Sequence, residues 1–348
     1  MYFSRFLSYI PQRSGLIDPE RKWYNQMSMI SIIVPVINEE EGLQAFYDEL
    51  TVELSLLTEV YEIILIDDGS TDKSLEILKE FGKKDKHVRV FSFRKNLGKS
   101  EALTFGFAKA KGDFIVTLDA DLQDKPSEIR KLLDKAKDGV EVVCGWRKVR
   151  RDKSRMVAIS RVFNFILHKL FVLQIHDYNC GLKVYTRDAA KSLQLYGGLH
   201  RFIPLLTYEG GFIVDEVIVE HDSRKFGKSK YGFSKLWRDL PDMFTMLFLM
   251  KYGKRPLHFF GVIGGLFLLI GIIILLYLTY VHFFLHQAIY RRPILFGGVL
   301  LVISGFQIFF TGFLADLMIN ISHSPKFLDE ENLHFPVKYS SDKSSIRK

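Results

Sequence analysis

Cysteine is nearly absent: Cys144 and Cys180 are the two in 348 residues, which excludes a disulfide framework and suits a reducing compartment. The glycine signatures of two common nucleotide folds are missing too. Val34–Glu39, which closes the first apolar run, holds no glycine, whereas a dinucleotide fold needs G-x-G-x-x-G there. Gly98-Lys99-Ser100 imitates the end of a P-loop, but Phe93 stands where its first glycine belongs, and that excludes the motif. Met1–Gln26 mixes charge, proline and aromatics without an apolar centre, so no secretory signal is expected. No internal repeat or low-complexity tract occurs. Acidic and basic residues alike are missing from Pro256–Tyr290 and again from Pro293–Ala315.

Hydrophobic residues make up 48% of the chain beside 25% charged ones, and mean hydropathy is +0.07. That mixture suggests a soluble domain carrying a membrane segment. The net charge of +8 fits nucleic acid, an anionic bilayer or phosphorylated substrates. Strand and helix patterns alternate from residue 29. Ile30–Val36, Glu62–Ile66, Val88–Phe93, Phe114–Leu118 and Glu141–Trp146 read as strands, with helices between them. Ser70 or Thr71 is placed to cap the second helix. The alternation predicts an α/β fold around a mostly parallel sheet with helices on both faces.

After Trp146 the chain turns basic and then amphipathic. Residues 153–173 carry Arg161, Asn164 and His168 on one narrow stripe of an otherwise apolar helix, as an interfacial helix does. Residues 233–255 repeat the theme as a juxtamembrane amphipathic helix. The two apolar spans, about 257–284 and 293–318, each exceed the ~20 residues that a bilayer core requires. Arg291 and Arg292 mark a short turn between them, so the pair reads as a hairpin across 256–319. Lys251, Lys254 and Arg255, with the basic segments before them, outweigh that turn and predict a cytoplasmic catalytic domain over 29–232. Residues 1–28 form an N-terminal extension. Residues 320–348 form a polar cytoplasmic tail in which only partial order is expected.

Three predicted strands end in acid: Glu39 after the first, Asp67 and Asp68 after the second, Asp119 and Asp121 after the fourth. Carboxylates at the carboxyl ends of parallel strands face the crevice where such sheets bind ligands. An Asp-x-Asp there offers hard oxygen to Mg²⁺ or Mn²⁺, the ions that accompany phosphates. Asp67 or Asp68 suits hydrogen bonds from a ribose or base.

Ser31–Glu40 (SIIVPVINEE), Ile66–Asp72 (IDDGSTD) and Leu118–Asp124 (LDADLQD) resemble family 2 glycosyltransferases of the GT-A fold. Arg224–Tyr231 (RKFGKSKY), followed by a membrane hairpin, resembles the polyisoprenyl-phosphate branch, which includes dolichyl-phosphate mannose synthase and its undecaprenyl-phosphate relatives. The resemblance covers Met29–Met318. It implies inverting transfer of one sugar from a UDP- or GDP-sugar to a polyprenyl phosphate, dependent on Mg²⁺ or Mn²⁺. By motif, Pro35, Ile37, Glu39 and Asp67, with Asp68 beside it, would line the nucleotide pocket. Asp119 would face the donor, while Asp121 and Gln123 would hold the metal. Arg147 would handle phosphate near the acceptor, and Arg224, Lys228 and Lys230 would close on the diphosphate. Arg supplies a bidentate fork and Lys a point charge for that task, although the lysines equally suit anionic head groups.

Asp177 matches the position of a base in many GT-A enzymes, yet a lipid phosphate is already an anion and needs little deprotonation. Asp177 therefore reads as either a base or an orienting group. Cys180 reads as a small packed residue, and His176, His200 and His221 as structural or acceptor-side groups without metal-site spacing. The rival readings are a processive polysaccharide synthase and an inactive nucleotide-binding scaffold. The first lacks its Gln-x-x-Arg-Trp segment, since no Arg precedes Trp23, Trp146 or Trp237. The second is opposed by intact acids at all three strand ends. Nucleic acid is not an expected partner; a bilayer is, and paired hairpins could assemble a homo-oligomer.

Overall fold

A computed structural model describes residues 28–57, 60–148, 173–222, 255–288, 293–322 and 337–341, together with positions 245, 248, 252 and 253. By its contacts the chain divides into two units, one containing an eight-stranded sheet and the other a pair of long helices.

The sheet unit follows the predicted alternation: β1 (Met29–Val36), α1 (Leu43–Ser55), β2 (Val60–Asp67), α2 (Ser74–Lys84), β3 (Val88–Phe93), α3 (Lys99–Lys109), β4 (Phe114–Thr117), α4 (Ile129–Lys137) and β5 (Val142–Trp146). Then come β6 (Lys183–Thr186), α5 (Arg187–Lys191), α6 (Ile203–Glu209), β7 (Val214–Ile218) and, far along the chain, β8 (Val337–Ser340). The strand order is β7-β5-β6-β4-β1-β2-β3-β8. Strands β1 to β4 pair in parallel, as do β5 and β7, while β6 and β8 run antiparallel to their neighbours. Central strands buried on both faces read as continuous β-branched runs, and Ile30, Ile32, Ile33 and Val34 are fully buried. Strands β6, β7 and β8 have only four or five residues each, too short for periodicity to announce them.

The amino end of the sheet is tied by a buried polar knot. The Glu62 carboxylate accepts from Ser31 Oγ at 2.6 Å, from the Lys111 amide at 2.7 Å and from Arg89 at 2.7 Å. This joins β1, β2, β3 and the turn before β4. At the carboxyl end the predicted helix cap is replaced by stitching between loops. The Asn38 amide donates to Ser70 Oγ, the Glu39 amide to Ser74 Oγ, and the Thr71 amide to Asn38 Oδ1. Asn38 takes φ 48° there, a left-handed conformation that Asn tolerates better than most residues.

Within the segment read as a tail, β8 covers the outer edge of β3, with Phe91 opposite Ser340 and Ser92 opposite Tyr339. Ser341 N–H donates to Val90 O, and Ser341 Oγ accepts from Val90 N–H, both at 2.9 Å. A sheet edge that would otherwise offer unpaired backbone groups is thereby closed.

The second unit holds α7 (Pro256–Phe283) and α8 (Pro293–Ser322). Both are long and apolar enough to cross a membrane, and only 11% of each span's most apolar window is buried, unlike core helices of a soluble protein. They pack through glycines at seven-residue spacing. A Cβ on Gly264 would lie 2.7 Å from Gly305 O, one on Gly271 2.9 Å from Val302 N, and one on Gly305 2.7 Å from Leu268 N. Small residues let the backbones meet where lipid gives no hydrophobic drive to association. The proposed interfacial helix at 153–173 and most of the juxtamembrane helix at 233–255 lie outside the described residues.

Replacing Gly305 by Leu forces the two helices apart, at about 1–3 kcal/mol for overpacking or more where backbone must yield. Thermal unfolding of the full chain in detergent should show a lowered transition, whereas Gly297→Ala, with nothing within 4 Å, should leave it unchanged.

Candidate active site

The order β3-β2-β1-β4 reverses the sense of the crossovers between β1 and β4, and a ligand crevice opens at the carboxyl ends beside such a switch point. Register aligns the ends: Val36 pairs with Asp67 and Ile33 with Thr117. Glu39, Asp67, Asp68, Asp119 and Asp121 therefore sit at one edge of one sheet. Pro35, Ile37 and Glu39 are half-buried at the β1 end.

The two acids that end β2 do different work. Asp67 is 1% exposed and accepts from the Ser70 amide at 3.0 Å and Ser92 Oγ at 2.6 Å. Asp68 accepts from the amides of Leu97 at 2.7 Å and Gly98 at 3.0 Å. Burial pushes the Asp68 pKa up, although those two amides pull against it. Its carboxylate is a clamp on the loop from β3 to α3. That loop crosses directly over Gly69, where a Cβ would meet Lys95 C at 2.5 Å, and Gly69 itself has φ +72°. The sequence reading placed Asp68 at the nucleotide; the clamp was not foreseen, and the neighbouring glycine was its available signal.

The clamped loop delivers Lys99, the first residue of α3. Its ammonium donates to both oxygens of Asp119, at 2.6 and 2.7 Å. Burial raises the cost of charge on Asp119, but the Lys99 cation, helped by Lys183, outweighs it and holds the carboxyl below its ordinary value. Lys99 was read from sequence only as an imperfect P-loop lysine. Gly181 makes room for the pair: a Cβ there would lie 2.6 Å from Asp119 Oδ2 and 2.9 Å from Asp124 Oδ2. The Gly181 carbonyl is held by Thr117 Oγ1 at 2.9 Å, and Lys183 donates to the Cys180 carbonyl.

Asp121 is half-buried and accepts from the Gln123 amide at 3.3 Å. Between them Leu122 takes φ 58°, which a bulky side chain adopts only when its surroundings compel it; here the side chain is buried, at 5% exposure. The turn thus sets Asp121 and Gln123 close together while Leu122 is sunk in the core. Backbone strain of this kind clusters at ligand sites.

Beyond Gln123 the chain couples to a second charged group. Gln123 O accepts from the Asp222 amide at 2.9 Å and lies 3.0 Å from His221 Nδ1. A carbonyl only accepts, so Nδ1 carries the proton and Nε2 turns its lone pair to Arg147, 3.5 Å away. Arg147 in turn forks onto Asp177 at 2.7 and 3.1 Å, with the carboxylate 1% and the guanidinium 13% exposed. Loss of water works against the Arg147 charge, yet Asp177 raises its pKa. Asp124 accepts from the Leu182 amide at 3.1 Å; burial, with Asp119 nearby, pushes its pKa up despite Arg147. Arg147 and Asp177 were expected separately and are found as one pair.

The remaining histidines and cysteines are held by their neighbours. His200 packs its Nδ1 2.9 Å from Ser100 Oγ, and burial, then the cations Lys99 and Arg201, push its pKa down to about 3. His176 stacks on Trp146 at 3.9 Å between ring centres and pairs with Glu216. Burial pushes the Cys144 thiol up to about 12 and Cys180 well above its usual value, so neither is a ready nucleophile. Arg224, Lys228 and Lys230 lie outside the described residues.

Among the described residues no three His, Cys, Asp or Glu side chains form a metal cage. The Asp121 carboxylate and the Gln123 amide oxygen are hard donors, and Mg²⁺-type ions are commonly held by one or two protein oxygens plus substrate phosphates. The donor set fits such an ion.

The model of the family described as glycosyl transferase family 2 matches residues 31–194. Dodecaprenyl-phosphate galacturonate synthase of Rhizobium johnstonii is 33% identical over 296 residues, covering 83% of this chain and 87% of the relative. The chain belongs to glycosyl transferase family 2. A second relative of this glycosyltransferase, the undecaprenyl-phosphate 4-deoxy-4-formamido-L-arabinose transferase of Yersinia pestis, is 35% identical over 243 residues, 70% of this chain and 73% of the relative. Among solved structures, glucosyl-3-phosphoglycerate synthase from Mycobacterium tuberculosis, in complex with Mn²⁺, UDP and phosphoglyceric acid, superposes with a TM-score of 0.50 at 21% identity. It covers 64% of this chain and 78% of the other, a likeness of fold.

Gly181→Ala should push the Asp119 carboxylate out of place. A displacement on the order of 1 Å costs about 100-fold in rate, so turnover by the glycosyltransferase should fall by about that factor with its far-ultraviolet circular dichroism unchanged.

Proposed function

We propose that this glycosyltransferase moves a single sugar from a nucleotide-sugar donor to a polyprenyl phosphate at the cytoplasmic face of a membrane, with inversion at the anomeric carbon. The observation that carries the acceptor is the match over 83% of the chain to a relative named for dodecaprenyl phosphate. The geometry supports it. A sheet edge lined with acids on the donor side adjoins a buried Arg147–Asp177 pair that can present a guanidinium to an acceptor phosphate. The return of the chain from α8 to β8, on the sheet that precedes α7, supports a hairpin whose two ends lie on one side of the bilayer.

In this reading the acceptor's phosphate oxygen, already anionic, attacks the anomeric carbon from the face opposite the diphosphate. The new C–O bond forms as the old one breaks, and its electron pair leaves with the nucleoside diphosphate. No proton has to be removed from the nucleophile. Asp119 accepts hydrogen bonds from the donor, and Pro35, Ile37, Glu39 and Asp67 line the nucleotide pocket. Asp121 and Gln123 would hold Mg²⁺ or Mn²⁺, which would supply charge to neutralise the diphosphate as a leaving group. Arg224, Lys228 and Lys230 close over the same charge, where cations act most strongly if preorganised. Asp177 orients Arg147 and takes no proton, because the fork of Arg147 already engages both of its oxygens.

The deciding experiment incubates purified protein, Mg²⁺ or Mn²⁺ and undecaprenyl phosphate with a panel of UDP- and GDP-sugars. One donor should yield a sugar–lipid product; no lipid-linked product with any donor defeats the reading. Asp121→Asn should abolish turnover and metal dependence with the fold intact, and full activity of the wild-type enzyme in EDTA would sink the metal assignment. Asp177→Asn loses an anchor for Arg147, so the KM for polyprenyl phosphate should rise while the pH profile keeps its shape. Loss of the acidic limb from that profile would instead mark Asp177 as a base.

A further inference from the structure

The two aspartates of Asp119-Ala120-Asp121 are one residue apart, yet their surroundings differ. Both oxygens of Asp119 are engaged by the Lys99 ammonium, in a pair whose side chains are about one-third exposed. The Asp121 carboxylate accepts from the Gln123 amide two residues on. Lys99 is itself held in place from behind. Asp68 binds the amides of Leu97 and Gly98 just before it, Gly98 takes φ +113° as the residue that opens α3, and Gly69 lets the loop lie flat on β2. The carboxylate of Asp119 is fixed from the other side by the close approach of Gly181. Five residues on three different loops thus serve the placement of one cation against one acid.

The geometry points to Lys99 as a positioning residue that divides the labour of the two aspartates. Without it, two carboxylates at this spacing form a joint oxygen site, and a divalent ion gains affinity with each carboxylate that it can recruit. With it, Asp119 is neutralised as a metal ligand, since an ammonium donating to both oxygens must be displaced before a cation can bind them. Asp119 stays ionised and correctly turned to accept hydrogen bonds from the donor. The metal is left to Asp121, Gln123 and the diphosphate. Affinity for the ion then depends on the nucleotide being present, so that the ion arrives with the donor. The chain Asp68–Leu97/Gly98–Lys99–Asp119 also gives Asp68 its function: it acts on the donor site through the loop.

This inference rests on the proposed donor and metal site, and the test separates the two. The full chain in detergent is titrated with Mn²⁺ in the absence of nucleotide, bound ion being read by electron paramagnetic resonance. The titration is repeated with UDP and with GDP. Wild-type protein should bind Mn²⁺ weakly alone and more tightly with one nucleotide; absence of any nucleotide effect defeats the site reading itself. Lys99→Met should bind Mn²⁺ at least about tenfold more tightly than wild type without nucleotide, because Asp119 becomes a ligand. Its kcat should fall about 10–100-fold, the usual cost of losing the partner of a site carboxylate, with a smaller change in donor KM. Lys99→Arg should move both values back towards wild type. Asp119→Asn provides the control that does not depend on Lys99→Met folding: its nucleotide-free Mn²⁺ affinity should equal that of wild type. Unchanged Mn²⁺ affinity in a folded Lys99→Met protein, or a weakened one in Asp119→Asn, overturns the inference.

Discussion

Charge of one sign, gathered at the edge of a hydrophobic sheet, is the constraint on which the rest of the structure depends. Strands β1, β2 and β4 are buried on both faces, and each delivers carboxylates at the same height. Buried or crowded acids lose their charge unless cations or amides hold it. The fold answers four of the acids in this region separately. Asp67 is met by a serine and an amide, Asp68 by two amides, Asp119 by Lys99, and Asp177 by Arg147. The loops between strand and helix take the shapes that these bonds require, including the left-handed conformations of Asn38, Gly69 and Leu122.

The arrangement links the acid motif to the Arg147–Asp177 pair through a chain of contacts. Gln123, at the end of the acid motif, holds His221 and Asp222 by its carbonyl. His221 faces Arg147, and Arg147 grips Asp177. Asp119 and Asp124 both crowd the place where a side chain on Gly181 would stand. A displacement at Arg147 is therefore felt within a few contacts at Gln123 and the acid motif.

Much of this was legible in the sequence. The continuous apolar runs announced the buried parallel strands, and the acids that follow them fall at one edge of the sheet. The uncharged stretches announced α7 and α8. Beta strands of four or five residues were not legible, because β6, β7 and β8 owe their conformation to the neighbours they pair with and not to a pattern of their own. Nor were the partners of the acids. Lys99 stands twenty residues before Asp119 and Asp177 thirty residues after Arg147, and only the crossovers of the sheet bring each pair together. Sequence could say which residues carry charge; topology decides which charges meet.

An amphiphilic lipid-phosphate acceptor and a water-soluble donor give the sheet unit and the apolar helices a common chemical purpose. The nucleophile brings its own charge, which leaves the protein to bind, orient and neutralise. Such an enzyme should transfer once per lipid and invert the sugar. The most direct measurement is the mass and anomeric configuration of the lipid product. The account predicts one sugar per polyprenyl phosphate, with the configuration opposite to that of the donor. Several sugars per lipid, or a retained configuration, would contradict it.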